Sequence, residues 1–334
     1  MNKRLAAVLK VFGVVVCVLA ILVAVGPFLI PVAPLEGLGS AAEAAQAESD
    51  FVTVPFAGTD GIELHYLAKQ TPAGTAETTF VLLHGSVFNA YTWDATFDFF
   101  AEQGRVIAYD QIPYGLSEKL VEGDWSGPNP YSADAAVEQL FALLDTLEVG
   151  KVVLVGNSYG GVLAVQAALA RPERVSGLIL VDPAVYVQEE MPAWLMNLPQ
   201  VRHVGPLLAR EIGQSEDFIR QTYLDPEQIS AERMDRTLIH TQVANWDNAL
   251  WEYLRVWGTN SSDYSMRIPQ ISQPVLVLSG DSDTVVPVEQ SRRVDAELPQ
   301  SELVILEACG HVPQEECPDL FETAVADWLS RQDW

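Results

Sequence analysis

Positive charge is scarce in this sequence. Nineteen Lys and Arg residues stand against 45 Asp and Glu residues, and the net charge at pH 7 is −26. A surface of this sign repels a phosphate backbone, and no basic cluster along the chain counteracts the repulsion. We therefore expect no nucleic-acid partner.

Cysteine and histidine are scarce as well. The three cysteines form no CxxC pair and the five histidines are scattered, so the sequence lacks a metal-binding pattern and we expect no metal. Cys17 lies in an apolar segment. Cys309 and Cys317 are eight residues apart, and an exported domain would permit a disulfide between them. The sequence leaves their pairing open.

Charged residues are absent from residues 11–33, an apolar run long enough to cross roughly 30 Å of hydrocarbon as a helix. Basic residues precede this run and only acidic residues follow it closely. The positive-inside rule predicts a single-pass anchor with the N-terminus in the cytoplasm and the rest of the chain outside. The alternative is a secreted protein whose signal peptide is cleaved at residues 45–47, although that site lies far from the most apolar stretch.

Beyond Phe51, apolar strand patterns alternate with helix patterns. Strands are predicted at residues 61–68, 78–85, 105–110, 151–156, 177–182, 274–280 and 302–308. Such alternation indicates an α/β fold with a mostly parallel sheet of about eight strands, covered by helices on both faces. The strand pattern disappears between Pro183 and Ile271, which predicts an inserted helical cap.

These patterns divide the chain into four parts. We expect a cytoplasmic tip and transmembrane anchor at 1–35 and a tether at 36–50. The core is then predicted at 51–185 and 271–334, and the cap at 186–270.

One apolar strand ends in the sequence GNSYGG, with a helix pattern directly behind it. A strand, a Gly-x-Ser-x-Gly turn and a helix form a nucleophile elbow, in which the serine side chain stands above the sheet edge. Gly156 and Gly160 fit this turn because a Cβ atom at either position would collide with neighbouring backbone. Ser158 is therefore the candidate nucleophile.

A serine hydroxyl needs a base and an orienting acid, which follow in the order Ser, Asp or Glu, His on this architecture. His311 comes shortly after the last strand and is the candidate base. Three residues compete as the acid: Asp182, which ends the strand after the elbow helix, and Asp281 and Asp283, which follow the next strand. Asp281 can act as a turn cap, and we favour Asp283.

Acyl transfer also needs two backbone N–H groups directed at the developing oxyanion. The residue after the nucleophile, Tyr159, is one candidate. Ser86, in the loop that follows the strand at 78–85, is the other. His84 in the same loop is interpreted as a structural residue that forms hydrogen bonds within the loop.

Five ordered motifs carry a family resemblance: HG at 84–85, DQIPYGLS at 110–117, GNSYGG at 156–161, GDSDTVVP at 280–287 and GHVPQEECP at 310–318. Together they resemble the α/β-hydrolase fold superfamily, in its subgroup with a helical cap, over residues 51–334. The resemblance implies an eight-stranded sheet, a Ser–His–Asp triad and no cofactor. The leader also resembles that of membrane-anchored bacterial members. Pro113 departs from the family, since many relatives have glycine there.

The resemblance also helps to distinguish between the reactions that members of this superfamily catalyse. A serine at position 158 argues against haloalkane dehalogenases and epoxide hydrolases, which carry aspartate there. Asn157 is similar to the residue before the nucleophile in meta-cleavage C–C bond hydrolases, but HGSVFN and Val312 depart from their pattern. The leading prediction is therefore hydrolysis of small to medium neutral carboxylic esters. C–C, lactone or amide hydrolysis and a non-catalytic binding role remain alternatives.

The cap is expected to carry specificity, because it must roof the pocket at the sheet edge. Trp246, Leu250, Leu254 and Trp257 share one face of a predicted helix. Packing of the cap onto the core explains this stripe as well as pocket lining does.

Overall fold

The computed structural model describes residues 3–70, 78–186, 192–257 and 264–333, with side chains from residue 9 onward. Parts of the predicted cap and cytoplasmic tip lie outside these ranges. A single sheet of eight strands forms the centre, in the order β1-β2-β4-β3-β5-β6-β7-β8. Only β2 runs antiparallel to its neighbours. The strands are β1 Asp50–Val54, β2 Ile62–Lys69, β3 Thr79–Leu83, β4 Arg105–Tyr109, β5 Val152–Asn157, β6 Val175–Val181, β7 Val275–Gly280 and β8 Ser301–Leu306.

Thirteen α-helices occur in the described part of the chain, together with short 3-10 turns. The helices are α1 Lys3–Val25, α2 Ala41–Ala44, α3 Phe97–Gln103, α4 Ala133–Thr146, α5 Tyr159–Ala170, α6 Ala193–Met196, α7 Pro199–Gly213, α8 Glu216–Gln221, α9 Ala231–Thr237, α10 Trp246–Trp257, α11 Val288–Glu297, α12 Pro313–Glu316 and α13 Pro318–Leu329. This is the predicted α/β architecture. Strand β1 was not predicted, since its alternating pattern at the sheet edge lacks a buried apolar run.

Both faces of the sheet are covered, as the continuous apolar strands predict. Along β3, Leu83 packs into one core cluster and Leu82 into the other, and the neighbouring strands alternate in the same way. Every residue of β3, β5 and β7 is buried. The carboxyl ends of the parallel strands therefore meet at one edge, where the loops that leave the sheet can bring distant residues together.

Helices α6 to α10 lie between β6 and β7 in the chain and form the region predicted as a cap. Its largest contact is between α7 and α10, which run antiparallel. Gly205 of α7 lies against Trp251, and Gly213 lies against Trp246. The tryptophans at 246 and 251 thus pack the two helices together, and both are buried.

One helix of the described chain is long and apolar enough to cross a membrane, with an apolar stretch over Leu9–Leu29 and a mean hydropathy of 2.8. It is fully exposed. The residues after it are docked on the protein: Leu35 and Leu38 pack against the core, and Gly39 pairs with Val243.

The close contact between α7 and α10 predicts a steric limit at Gly205. A Cβ atom there would lie 2.0 Å from the Trp251 ring. We expect Gly205→Ala to lower the free energy of unfolding by about 1–3 kcal/mol, despite the better helix propensity of alanine, because the indole must shift. Denaturant unfolding of the purified protein measures this. Gly150→Ala is the control, since nothing lies within 4 Å of its added Cβ atom. Equal stability of the two variants would contradict the packing argument.

Candidate active site

Ser158 lies at the turn between β5 and α5. Its φ is 53° and its ψ −115°, a conformation that L-residues rarely adopt and that costs about 1–3 kcal/mol. A Cβ atom at Gly156 would lie 2.3 Å from the carbonyl oxygen of Gly160, and one at Gly160 would lie 2.1 Å from that of Leu83. These distances confirm why the turn needs both glycines. The strained serine is held in place because its N–H donates to the Val181 carbonyl at 2.9 Å.

His311 and Asp283 meet at the same edge of the sheet. The His311 Nδ1 atom lies 2.7 Å from Asp283 Oδ2, and both side chains are buried. The other carboxylate oxygen of Asp283 accepts hydrogen bonds from the N–H groups of Val285 and Val286 at 2.7 and 3.0 Å. With Nδ1 engaged by the acid, the Nε2 atom of His311 is the one left for a substrate or nucleophile.

The competing acid Asp281 is occupied elsewhere. Its Oδ1 atom accepts from the Ser282 hydroxyl at 2.8 Å and from the Ala308 N–H at 2.9 Å. This is the turn-capping role that the sequence suggested for it.

Asp182 differs both from Asp283, which pairs with His311, and from Asp281, which caps a turn. It is fully buried, its φ is 44°, and its Oδ1 atom accepts from the Ser279 hydroxyl at 2.7 Å and the Gly280 N–H at 3.1 Å. One ligating atom each from Asp182, Asp283 and His311 lies within 4.8 Å of the others. Burial and the neighbouring Asp283 carboxylate raise the pKa of Asp182 well above its usual value. The second oxygen of Asp182, Oδ2, is buried and makes no hydrogen bond among the described residues.

These three residues offer three atoms that could bind a cation. The Nδ1 atom of His311 is already engaged by Asp283 at 2.7 Å.

Asn157 ties the elbow to the histidine loop. Its side-chain amide donates to the carbonyl oxygen of His311 at 3.0 Å and to that of Val181 at 3.3 Å. Gly85 approaches the elbow from the opposite side, since a Cβ atom there would lie 3.0 Å from the Ser158 Cβ atom. The loop carrying Ser86 is thus directly beside the candidate nucleophile. Its role in an oxyanion hole with Tyr159 stays a prediction.

His84 has the structural role expected of it. Its Nε2 atom accepts from the Gln111 N–H at 2.9 Å, so Nδ1 carries the proton and donates to the Gly85 carbonyl at 2.8 Å. Burial lowers the pKa of His84, which keeps the ring neutral.

A cluster of tyrosine hydroxyls adjoins the elbow. The ring of Tyr253, which comes from α10, lies 6.2 Å from that of Tyr159 and 5.3 Å from that of Tyr114. The Tyr253 hydroxyl is buried next to those of Tyr114 and Ser86, yet among the described residues it makes no hydrogen bond of good geometry. Burial raises the pKa of Tyr253, so the hydroxyl remains a donor. The sequence prediction for α10 concerned its stripe of tryptophans. The side chain of α10 that lies beside Tyr159 is Tyr253.

Residues of the cap also form hydrogen bonds with the loop that carries His311. The N–H of His311 donates to the Thr222 carbonyl at 2.7 Å. Glu316 accepts from the N–H of Gly310 with one oxygen, at 2.7 Å, and from that of Asp225 with the other, at 2.8 Å. Cys309 and Cys317, whose pairing the sequence left open, form a disulfide across this loop with their Cα atoms 6.2 Å apart.

A second Ser–His–Asp chain lies away from the elbow. His65 is 2.7 Å from Asp110 and 2.8 Å from the Ser49 hydroxyl, which also contacts the Tyr91 hydroxyl at 3.0 Å. Asp110 also accepts from the N–H groups of Ala90 and Leu116. Ser49 precedes β1, so this buried chain fastens the linker to the core.

The chain is similar to proteins of known sequence and structure. A family model described as the alpha/beta hydrolase family matches residues 80–324. A 2-hydroxy-6-oxononadienedioate/2-hydroxy-6-oxononatrienedioate hydrolase of Burkholderia vietnamiensis is 31% identical over 296 residues, which cover 85% of this chain and 96% of that protein. The uncharacterized hydrolase YugF of Bacillus subtilis is 26% identical over 273 residues, covering 81% and 95%.

Solved structures share the fold. A thermophilic esterase from Thermogutta terrifontis superposes with a TM-score of 0.63 at 23% identity, covering 84% of this chain and 98% of that one. The name of the Burkholderia vietnamiensis relative agrees better with the predicted alternative, C–C hydrolysis, than with the leading prediction of ester hydrolysis.

The raised pKa of Asp182 gives a testable contrast. We expect Asp182→Asn to keep catalytic activity within a few-fold of the original, because the amide oxygen can accept the same hydrogen bonds from Ser279 and Gly280. Asp283→Asn should lower kcat by about 10⁴-fold, since it removes the negative charge and the tautomer that the imidazole needs. Steady-state kinetics on any substrate turned over measure both. A large loss in Asp182→Asn alone would make Asp182 the acid.

Stability provides a second readout for the same variant. A carboxyl whose pKa is raised by folding keeps a proton that the unfolded chain releases above about pH 4. The original protein should therefore lose stability relative to Asp182→Asn as pH rises above that value. Denaturant unfolding at pH 4 and pH 8 measures the difference, and a constant difference would show that Asp182 is ionised.

Proposed function

The chain belongs to the alpha/beta hydrolase family, and on this premise we propose that it is a serine hydrolase in which Ser158 attacks a carbonyl carbon of the substrate. The observation that carries the proposal is the coincidence of a strained Ser158 on the elbow with a buried His311–Asp283 pair at the same sheet edge. An incidental serine in a turn would need neither the strain nor the pair.

In the proposed reaction, His311 takes the proton of the Ser158 hydroxyl at Nε2 as the oxygen attacks. Asp283, which is bonded to Nδ1, stabilises the imidazolium that forms. Backbone N–H groups of Tyr159 and Ser86 receive the negative charge on the carbonyl oxygen. The tetrahedral intermediate collapses to an acyl-enzyme as His311 returns the proton to the leaving group. Water, activated by the same imidazole, then releases the acid.

Our first candidate for the substrate is a 2-hydroxy-6-oxo-dienoate, the class named in the curated relatives. The attacked carbon is then a ketone, and the leaving group is a carbon atom conjugated with the dienoate, which takes up a proton after the C–C bond breaks. The site supports this reaction through its hydroxyl donors. Tyr253 carries a buried hydroxyl without a good partner, which suits a substrate oxygen that bears charge.

The second candidate is a small to medium neutral carboxylic ester. Most arginines of the described cap already pair with carboxylates, so they offer little charge to an anionic substrate. These are Arg202, Arg210, Arg220, Arg233, Arg236 and Arg255. The net charge of −26 also repels anions approaching from solution.

We further propose that the exposed helix α1 anchors the chain in a membrane, with the cytoplasm on the N-terminal side and the catalytic part outside. The support is the length and hydropathy of the apolar stretch and the basic residues before it. Secretion after cleavage of this segment is the alternative, and the mass of the mature protein decides between them.

The assignment of the nucleophile is tested with a fluorophosphonate probe. We expect the original protein to be labelled and Ser158→Ala to lose labelling completely. Ser86→Ala is the control and should still be labelled, because Ser86 acts through its backbone N–H group, which alanine retains. Labelling that persists in Ser158→Ala would refute the assignment, and a protein that never reacts would support a non-catalytic role.

The choice of substrate is tested by kcat/KM for one dienoate beside a series of p-nitrophenyl esters. We expect the dienoate to exceed the best ester by more than tenfold. Tyr253→Phe should reduce kcat/KM for the dienoate about tenfold or more and that for the ester less, since a charged acceptor gains more from a hydrogen bond. If the esters are preferred, each added methylene should gain up to ~0.8 kcal/mol until the pocket is full, and the second candidate replaces the first.

A further inference from the structure

The residues that follow helix α1 run along the cap. The Gln200 side chain donates to the Ala24 carbonyl at 3.2 Å, and the His203 ring is 3.0 Å from the Ile30 carbonyl. The same ring also packs against Phe28, with centroids 5.4 Å apart. The apolar helix thus ends against the first turns of α7.

The contacts continue in order along α7. Arg210, about 15 Å farther along the helix axis than Gln200, donates to the Ala33 carbonyl at 2.7 Å. Gly39 then pairs with Val243 just before α10 begins, where α10 lies beside the end of α7. The linker therefore passes along the whole α7–α10 pair, and one end of this pair is fixed next to the apolar helix.

We call that end of the cap the anchor end. It comprises α6, the first turn of α7 and the last turn of α10. Arg255 joins its parts, since its guanidinium donates to the Asn197 side chain at 2.6 Å. Two large aromatic side chains are exposed here: Trp194, which is 69% exposed, and Trp257, which is 42% exposed.

The level of these residues relative to the apolar helix can be estimated. Ala24, which Gln200 contacts, lies five residues before Leu29, where the apolar stretch ends. Five residues of helix correspond to roughly 8 Å. The first turn of α7 is therefore level with the last turn of the apolar helix, where a bilayer changes from hydrocarbon to headgroups.

We propose that the anchor end of the cap lies in the headgroup region of the membrane that holds α1, with Trp194 and Trp257 as its interfacial side chains. Tryptophan is enriched at this depth because its ring is apolar and its N–H group is polar. The inference rests on the proposed anchor and is independent of which bond the enzyme cleaves. A zwitterionic bilayer is the expected partner, since the net charge of −26 repels anionic lipids.

The test uses the full chain in phosphatidylcholine nanodiscs. Trp194→Cys and Trp257→Cys are each made in a Cys17→Ser background and labelled with an environment-sensitive fluorophore. Leu320→Cys is the matched control, because Leu320 is 47% exposed and lies on α13 of the core. The Cys17→Ser chain without a new cysteine must take up no label, which verifies that the disulfide is intact.

We expect blue-shifted emission at both cap positions and quenching by brominated lipids at least about twofold stronger than at position 320. Quenching equal to that at position 320, in a chain that stays in the discs after an alkaline wash, would overturn the docking and leave the anchor standing. Release of the chain by the wash would overturn the anchor and the docking together. Fluorophosphonate labelling of each variant shows whether the fold survives, because neither tryptophan belongs to the proposed catalytic machinery.

Discussion

The close approach of two backbone segments controls this structure. The β5–α5 turn packs so closely on its own backbone that only glycine fits at position 156, and it passes so near the end of β3 that only glycine fits at position 160. Ser158, which lies between these glycines, is then held at a positive φ, and its side chain is directed above the sheet edge. The burial of β3 and β5 on both faces maintains this contact, because separating the strands would expose a continuous apolar core. The packing of the buried strands β3 and β5 thus stabilises the strained conformation of Ser158.

The remaining site residues are arranged around this turn by hydrogen bonds to backbone. Asn157 holds the His311 carbonyl, and Thr222 of the cap holds the His311 N–H group. The imidazole is therefore fixed from the core on one side and from the cap on the other. Glu315 adds a further connection, since it is buried between the hydroxyls of Thr92 and Tyr223 and lies 3.5 Å from the Arg233 guanidinium. The Glu315 side chain is 2% exposed, and this burial raises its pKa.

Sequence patterns predicted the parts of this arrangement that depend on local chemistry. The elbow needs two glycines at fixed spacing, and Asp283 and His311 lie within a few residues of the ends of β7 and β8, so each could be proposed from its own surroundings. The raised pKa of Asp182 could not be predicted, because it arises from burial and from a carboxylate about a hundred positions away in the chain. Tyr253 was missed for a related reason: a single tyrosine on an aromatic-rich helix gives no sign of which face meets Tyr159. The docking of the linker on the cap could not be predicted, since its small and acidic residues carry no pattern that indicates a partner.

The disulfide loop around His311 also bears on the order of assembly. Ser158, the cap and Asp283 all precede residue 309, so a growing chain can form the sheet, the elbow and the cap before His311 has been synthesised. His311 is then fixed by carbonyl and amide groups that are already in place. A chain interrupted before this loop would have most of its mass but would lack His311 and the disulfide. If His311 is the base, as we propose, catalytic activity requires the part of the site that is synthesised last.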